Sequence, residues 1–276
     1  MLRKLLNILL SICAIGNSSL MAQELITNVQ NRETYSLNGQ WQYILDPYET
    51  GFYDYRFREK SEGDPGAYWN RGIPKDKTAL IEHGYDDQRT LEVPGDWNSQ
   101  KPEFLYYEGT VWYKRSFDYS KKNASNRLFL YFGAVNYQAD VYLNGMKLGA
   151  HKGGFTPYQF EIDDEIIKEK ANFLVVKVDN KRHKDEVPTV NTDWWNFGGI
   201  TRDVTLVTTS ATYVEDYLVQ LEQGSRKRVN GWVKLNGEDK NQQVSVFIPE
   251  LDVEFVAQAG DSGYADISFE VDPELW

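Results

Sequence analysis

Short runs in which apolar and polar residues alternate, each bounded by turn-forming residues, recur through nearly the whole chain, and this pattern most restricts what it can fold into. Residues 128–132, 173–178 and 203–207 are clear examples, while spacing of the helical kind is almost absent, so the chain reads as all-β. Within 139–149 two such runs are joined by Asn144-Gly145. Asn-Gly tolerates positive φ at both central turn positions, the geometry that matches strand twist in a type I′ hairpin. A β-hairpin is therefore predicted there.

Two stretches depart from this rhythm. Between Tyr48 and Asp87 the chain is rich in Gly, Pro, Asp, Tyr and charge, with turn signals at Asp64-Pro65-Gly66 and Gly72-Ile73-Pro74, which predicts a long, partly irregular insertion. Residues 163–168 begin with Asp163-Asp164-Glu165, and acidic residues suit the positive end of a helix dipole, so one helical turn is expected. Near Ala211 the first series of strands ends and a second begins, at 217–221, 229–235, 244–248, 253–257 and 264–271, the even spacing of a sandwich. An immunoglobulin-type sandwich needs roughly 100 residues. The stretch 211–276 is shorter, so a truncated second domain is expected.

The N-terminus places Arg3 and Lys4 ahead of an apolar run from Leu5 to Ile15, followed by polar Asn17, Ser18 and Ser19 and the small Ala22, the build of a secretory signal peptide over 1–22. Export to the periplasm or the extracellular space is expected. The apolar run is too short for a permanent span, and no later stretch approaches the roughly 20 apolar residues that spanning needs. Cys13, the one cysteine, lies inside the segment to be removed, so no disulfide, thiol nucleophile or thiolate metal site is expected. Bulky Ile12 before it argues against lipidation. A formal charge of −11, more negative once Arg3 and Lys4 are gone, excludes a polyanion such as nucleic acid as an expected partner. The basic runs 181–184 and 226–228 are short enough to read as solvated loops.

The run Thr192-Asp193-Trp194-Trp195-Asn196-Phe197-Gly198-Gly199-Ile200-Thr201-Arg202-Asp203-Val204 resembles a motif of glycoside hydrolase family 2, the family of β-galactosidases, β-glucuronidases and β-mannosidases. Leu37-Asn38-Gly39-Gln40-Trp41, Val93-Pro94-Gly95-Asp96-Trp97-Asn98, 109–115, 141–145, 153–158 and 172–178 also look like that family's motifs, in the family's order. The resemblance covers nearly the whole mature chain. It implies a jelly-roll-like, galactose-binding-type β-sandwich over 23–210, then an immunoglobulin-like β-sandwich, incomplete over 211–276, then a (β/α)8 barrel that is absent here. In the family two barrel glutamates act by the retaining mechanism, which requires carboxyls ~5–5.5 Å apart. No Asp or Glu of this chain is assigned to either role, so no catalytic residue is expected in it. The implied partner is a β-linked glycoside, with no cofactor and no metal.

By the same resemblance Asp193 aligns with an aspartate that reaches into the barrel's active site and contacts a sugar hydroxyl. An ionised carboxylate accepts charge-assisted bonds from hydroxyls. The competing reading is a turn aspartate that bonds its own backbone. Trp194 and Trp195 offer rigid rings for sugar faces. Neighbours in an extended segment point to opposite sides, so at most one faces a ligand, and core or interface packing is the plainer reading for both. Trp194 is retained as the substrate-facing candidate, with Asn196 either orienting Asp193 or bonding local backbone. Gly198 and Gly199 read as permitting unusual backbone angles, and Arg202 as pairing with a carboxylate. Asp96 and Glu108 read as solvated loop residues. His83, His151 and His183 lack metal-ligand spacing. A stand-alone carbohydrate-binding jelly-roll module and an inert product of a broken reading frame are the alternatives to a glycosidase.

Overall fold

A computed structural model describes residues 25–64, 66–70, 84–85 and 87–273. The predicted signal peptide, Cys13, His83 and the turns at Pro65 and Gly72-Ile73-Pro74 lie outside those residues. Strands β1 (Glu33–Ser36), β2 (Gly39–Leu45), β3 (Thr90–Val93), β4 (Gly95–Asp96), β5 (Thr110–Phe117) and β6 (Arg127–Phe132) come first. They are followed by β7 (Gln138–Leu143), β8 (Met146–Lys152), β9 (Tyr158–Glu161), β10 (Asn172–Asp179), β11 (Gly199–Ile200) and β12 (Val204–Thr209). Five more follow among the described residues: β13 (Tyr213–Leu221), β14 (Arg228–Asn236), β15 (Gln243–Ile248), β16 (Val253–Gln258) and β17 (Tyr264–Glu270). Among the described residues the only helical pieces are three-residue 3-10 turns. The all-β expectation holds.

The first twelve strands form a sandwich. A six-stranded sheet ordered β3-β2-β5-β10-β7-β8 faces a four-stranded sheet ordered β1-β12-β6-β9, with β4 and β11 as a separate small ladder. The predicted hairpin is β7–β8, with Asn144 at φ 54° and Gly145 at φ 90°, as a type I′ turn requires. Period-2 alternation sorts β10 cleanly: Leu174, Val176 and Val178 enter the core between the sheets, where Trp41, Trp97 and Phe132 also lie fully buried. Each such tryptophan removes roughly 150–250 Å² from water, a stabilisation of about 4–6 kcal/mol before entropy.

Phe173 and Val175, on the outer face of the same strand, are buried as well. Their cover is the insertion that begins at Tyr48. Phe52 and Trp69 from it pack against Trp112 of β5 and Tyr142 of β7, with Trp69 stacked on Tyr142 at 4.8 Å and 13°. A buried ion pair reinforces the cover, since Lys177 Nζ lies 2.8 Å from Glu49 Oε1 and over the Phe52 ring at 4.2 Å. Asp46 completes it, accepting from the Trp112 indole at 2.9 Å and from the backbone of Thr50 and Gly51. The segment 163–168 closes as a turn rather than a helical one, through the Ile166 N–H and the Asp163 carbonyl at 3.0 Å.

Strands β13-β14-β17 and the pair β15-β16 pack on each other through Val233, Leu235, Val244 and Ile267, with Phe255 stacked on Phe269 at 5.0 Å. A bulge at Glu215 interrupts β13 and turns that buried carboxylate onto Lys234 and Asn236. Tyr213 joins this part to the first sandwich by packing on Phe129, Val207 and Ile26.

Candidate active-site wall

The chain between β10 and β11, residues 180–198, and the chain between β4 and β5, residues 97–109, lie side by side at one end of the first sandwich. Four buried asparagines fix them. Asn98 donates to the Phe104 and Tyr107 carbonyls at 2.8 and 3.1 Å and accepts from the Gly198 N–H at 2.9 Å, so it holds both segments at once. Asn180 accepts from Gly109 N–H at 2.8 Å and donates to the Asn196 carbonyl at 2.8 Å, while the Asn196 amide donates back to the Asn180 carbonyl. Asn136, from the turn before β7, donates to Asn196 Oδ1 at 3.0 Å and to the Phe197 carbonyl. Neutral amides suit this task because each supplies donors and acceptors without the cost of burying a charge.

The glycines have a packing reason. A Cβ on Gly198 would lie 2.1 Å from the Trp97 ring and 2.6 Å from Asn180 Nδ2, and Gly199 adopts φ 145° with the Gly95 carbonyl against it. Gly199 meets the expectation of unusual backbone angles through its left-handed backbone, whereas Gly198 does not and is required instead by its close approach to Trp97.

Together these residues rim a cleft of about 220 Å³ lined by Asn98, Tyr106, Glu108, Arg182, Asp193 and Trp194, among others. That falls below the roughly 300 Å³ at which whole-ligand pockets begin, so this surface is suited to supply one wall of a site. Asp193 and Trp194 are exposed on it. Among the described residues Asp193 makes no hydrogen bond or ion pair, and in particular none to its own backbone. Asn196 also lines the cleft, but its amide is engaged with Asn136 and Asn180.

The alternation expected of the tryptophan pair is absent. Trp194 and Trp195 are 60% and 45% exposed, and neither enters the core, because residues 180–198 form no strand on which opposite-facing neighbours could arise. Trp195 instead donates its indole N–H to the Leu105 carbonyl at 3.1 Å and lies 5.2 Å from the Tyr106 ring.

Three other expectations are corrected. Arg182 is not a solvated loop residue: its guanidinium donates to Thr192 and Trp194 and pairs with Glu108 at 2.7 Å, while Glu108 itself stays exposed on its loop, as expected. Asp96 caps a turn by accepting from the Ser99 N–H and hydroxyl at 2.7 and 2.8 Å. Arg202 forms no ion pair among the described residues. His151 stacks on Tyr158 at 4.2 Å, and burial holds its imidazole below the usual histidine range. Among the described residues no three His, Cys, Asp or Glu side chains stand close enough to hold a metal ion.

Residues 34–210 match the family described as "Glycosyl hydrolases family 2, sugar binding domain". A putative beta-glucuronidase of Formosa agariphila is 30% identical over 172 residues, 60% of this chain and 20% of that protein. A beta-galactosidase of Thermoanaerobacter pseudethanolicus is 35% identical over 152 residues, 52% of this chain and 20% of that protein. The chain thus spans about a fifth of the length of these relatives. A beta-glucuronidase of Bifidobacterium dentium, solved in complex with coumarin-3-O-glucuronide, superposes with a TM-score of 0.68 at 24% identity over 89% of this chain and 43% of its own.

Proposed function

The chain belongs to glycosyl hydrolase family 2, and on that premise we propose that it is the sugar-binding front of an exported retaining β-glycosidase acting on β-glucuronides or β-galactosides. In this reading residues 1–22 direct export to the periplasm or beyond, 23–210 form the sugar-binding domain, and 211–276 belong to an immunoglobulin-like domain. Asp193 accepts a hydrogen bond from a sugar hydroxyl. Trp194 offers an apolar face beside it, and Asn196 sets the backbone that carries them both. No Asp or Glu of this chain is given the nucleophile or acid/base role.

The observation that carries the reading is the exposed Asp193 carboxylate, free of partners among the described residues, on a cleft whose backbone four buried asparagines immobilise. A preorganised acceptor with no internal partner is available to a ligand without first breaking a bond. The relatives named beta-glucuronidase and beta-galactosidase support the substrate class. A specific observation favours the second reading, a carbohydrate-binding module without hydrolysis: Tyr106, Trp194 and Trp195 all lie exposed at the same cleft.

The test is hydrolysis of p-nitrophenyl β-D-glucuronide and β-D-galactoside by the full reading frame that contains this chain, by the chain itself, and by Asp193→Ala in the full frame. Activity is expected in the full frame only. Losing one charge-assisted hydrogen bond of ~1.5–3 kcal/mol predicts a drop in kcat/KM of roughly 10- to 150-fold. Undiminished activity of Asp193→Ala would refute the sugar contact. Turnover by the chain itself would place catalysis within it. Silence in all samples, with retention of the chain on an immobilised β-glycan, would establish the binding module.

A further inference from the structure

Arg182 follows β10 directly and turns back over the segment that bears Asp193. One terminal nitrogen donates to the Thr192 carbonyl and the Thr192 hydroxyl, both at 2.8 Å. The other donates to the Trp194 carbonyl at 3.2 Å and pairs with Glu108 Oε1 at 2.7 Å. Two terminal nitrogens carry four N–H bonds, and these four acceptors use them all. The fifth donor, Nε, is buried without a partner. The guanidinium therefore has no terminal N–H left for a ligand, although it lines the cleft.

What it holds is specific. Thr192 and Trp194 are the residues on either side of Asp193, and Thr192 also closes the preceding turn by donating to the Thr189 carbonyl at 3.0 Å. Fixing the Thr192 carbonyl fixes the peptide plane that leads into Asp193, and fixing the Trp194 carbonyl fixes the plane that leaves Trp194, so the chain is pinned on both sides of the Asp193 Cα. Glu108 in turn anchors the guanidinium to the neighbouring segment, whose backbone Asn98 and Asn180 already hold. The asparagines secure the far side of Asp193, at 196–198, and Arg182 secures the near side.

We propose that Arg182 is a positioning residue for the Asp193 carboxylate, acting through the carbonyls of Thr192 and Trp194 and tethered by Glu108. This rests on the reading of Asp193 as a sugar contact. A planar fork is needed for it. The single ammonium of a lysine cannot meet two carbonyls and a carboxylate at the spacing of a guanidinium.

Two measurements in the full reading frame test it, on Arg182→Ala and on Arg182→Lys, which keeps the charge and most of the apolar stem should the alanine variant fold poorly. Chymotryptic cleavage after Trp194 and Trp195, both exposed, is expected to quicken at least tenfold in either variant, with cleavage within β7 and β10 unchanged. Cleavage at the parental rate in both would overturn the proposal, whatever Asp193 does. On p-nitrophenyl β-D-glucuronide, Arg182→Ala is expected to lower kcat/KM about as far as Asp193→Ala does, with the double variant no worse than twofold below the weaker single. If Arg182→Ala costs as much in the Asp193→Ala background as in the parent, Arg182 acts independently and the proposal falls. If Asp193→Ala alone has parental activity, the sugar-contact reading fails while the cleavage measurement still decides the role of Arg182.

Discussion

Asn180 and Asn196 hold each other's backbone: the Asn180 side chain donates to the Asn196 carbonyl at 2.8 Å, and the Asn196 side chain donates back to the Asn180 carbonyl. Both are buried, so neither carbonyl has water as a substitute. The pair closes the ends of the segment that displays Asp193, and its strength sets how firmly that segment is held.

Asn180→Ala therefore removes more than one bond. It leaves the Asn196 carbonyl and the Gly109 N–H without partners, each at about 1–3 kcal/mol. Urea unfolding is expected to show a loss of roughly 2–5 kcal/mol. Because Asn196→Ala breaks the same reciprocal pair, the double variant should cost less than the two singles together, by about 0.5–3 kcal/mol. Strict additivity would mean that the pair is not one unit.

Gly198→Ala puts a methyl group 2.1 Å from the Trp97 ring, which is fully buried and has nowhere to move. Overpacking of this kind costs about 1–3 kcal/mol. Gly260 offers the control, since a Cβ there meets nothing within 4 Å. Thermal unfolding should show a lower Tm for Gly198→Ala and an unchanged one for Gly260→Ala. Equal midpoints would show that the segment slides away from Trp97 without penalty.

The strands were legible because alternation and the Asn144-Gly145 turn are local signals, and β6, β7, β8, β10 and β12 lie where the pattern places them. Asp193 was legible only through the order of motifs around it. The side chains that fix it were not. Arg182 sits in a basic run that reads as a solvated loop, and nothing local to it points to Glu108 in another segment of chain. The asparagines are hidden for a different reason: burial of neutral amides follows from hydrogen-bond geometry, which hydropathy does not register. The insertion after Tyr48 reads as loop from its Gly, Pro and charge content, yet Phe52 and Trp69 within it bury against the outer face of β10. Their signal was the apolar run of β10 itself, continuous from Phe173 to Val176 where a one-sided strand would alternate.

Tyr213 predicts how the contact between the two sandwiches responds to alkali. Burial is the main influence that raises its hydroxyl to about 12; Glu215 and Glu161 add to it, and Arg127 and Arg32 oppose it. Its ring packs edge-on against Phe129 at 5.7 Å, with the Arg127 and Arg32 guanidiniums 5.2 and 5.5 Å from its centroid. An unfolded tyrosine ionises near pH ~10. A folded pKa above the unfolded one means that the folded state binds the proton more tightly, so this contribution is fully present below about pH 10 and is lost as pH rises through about 12. Tyr213→Phe keeps the ring and cannot ionise. Between pH ~9 and ~12 the variant is expected to lose less stability in urea unfolding than the parent, and the two should run parallel below pH ~9. The other buried tyrosines, Tyr113 and Tyr158 among them, are raised in the same sense and titrate equally in both proteins, so the difference isolates Tyr213. Parallel curves across the whole alkaline range would show that the Tyr213 hydroxyl reaches solvent before it ionises, and that the contact it makes with Phe129 opens first.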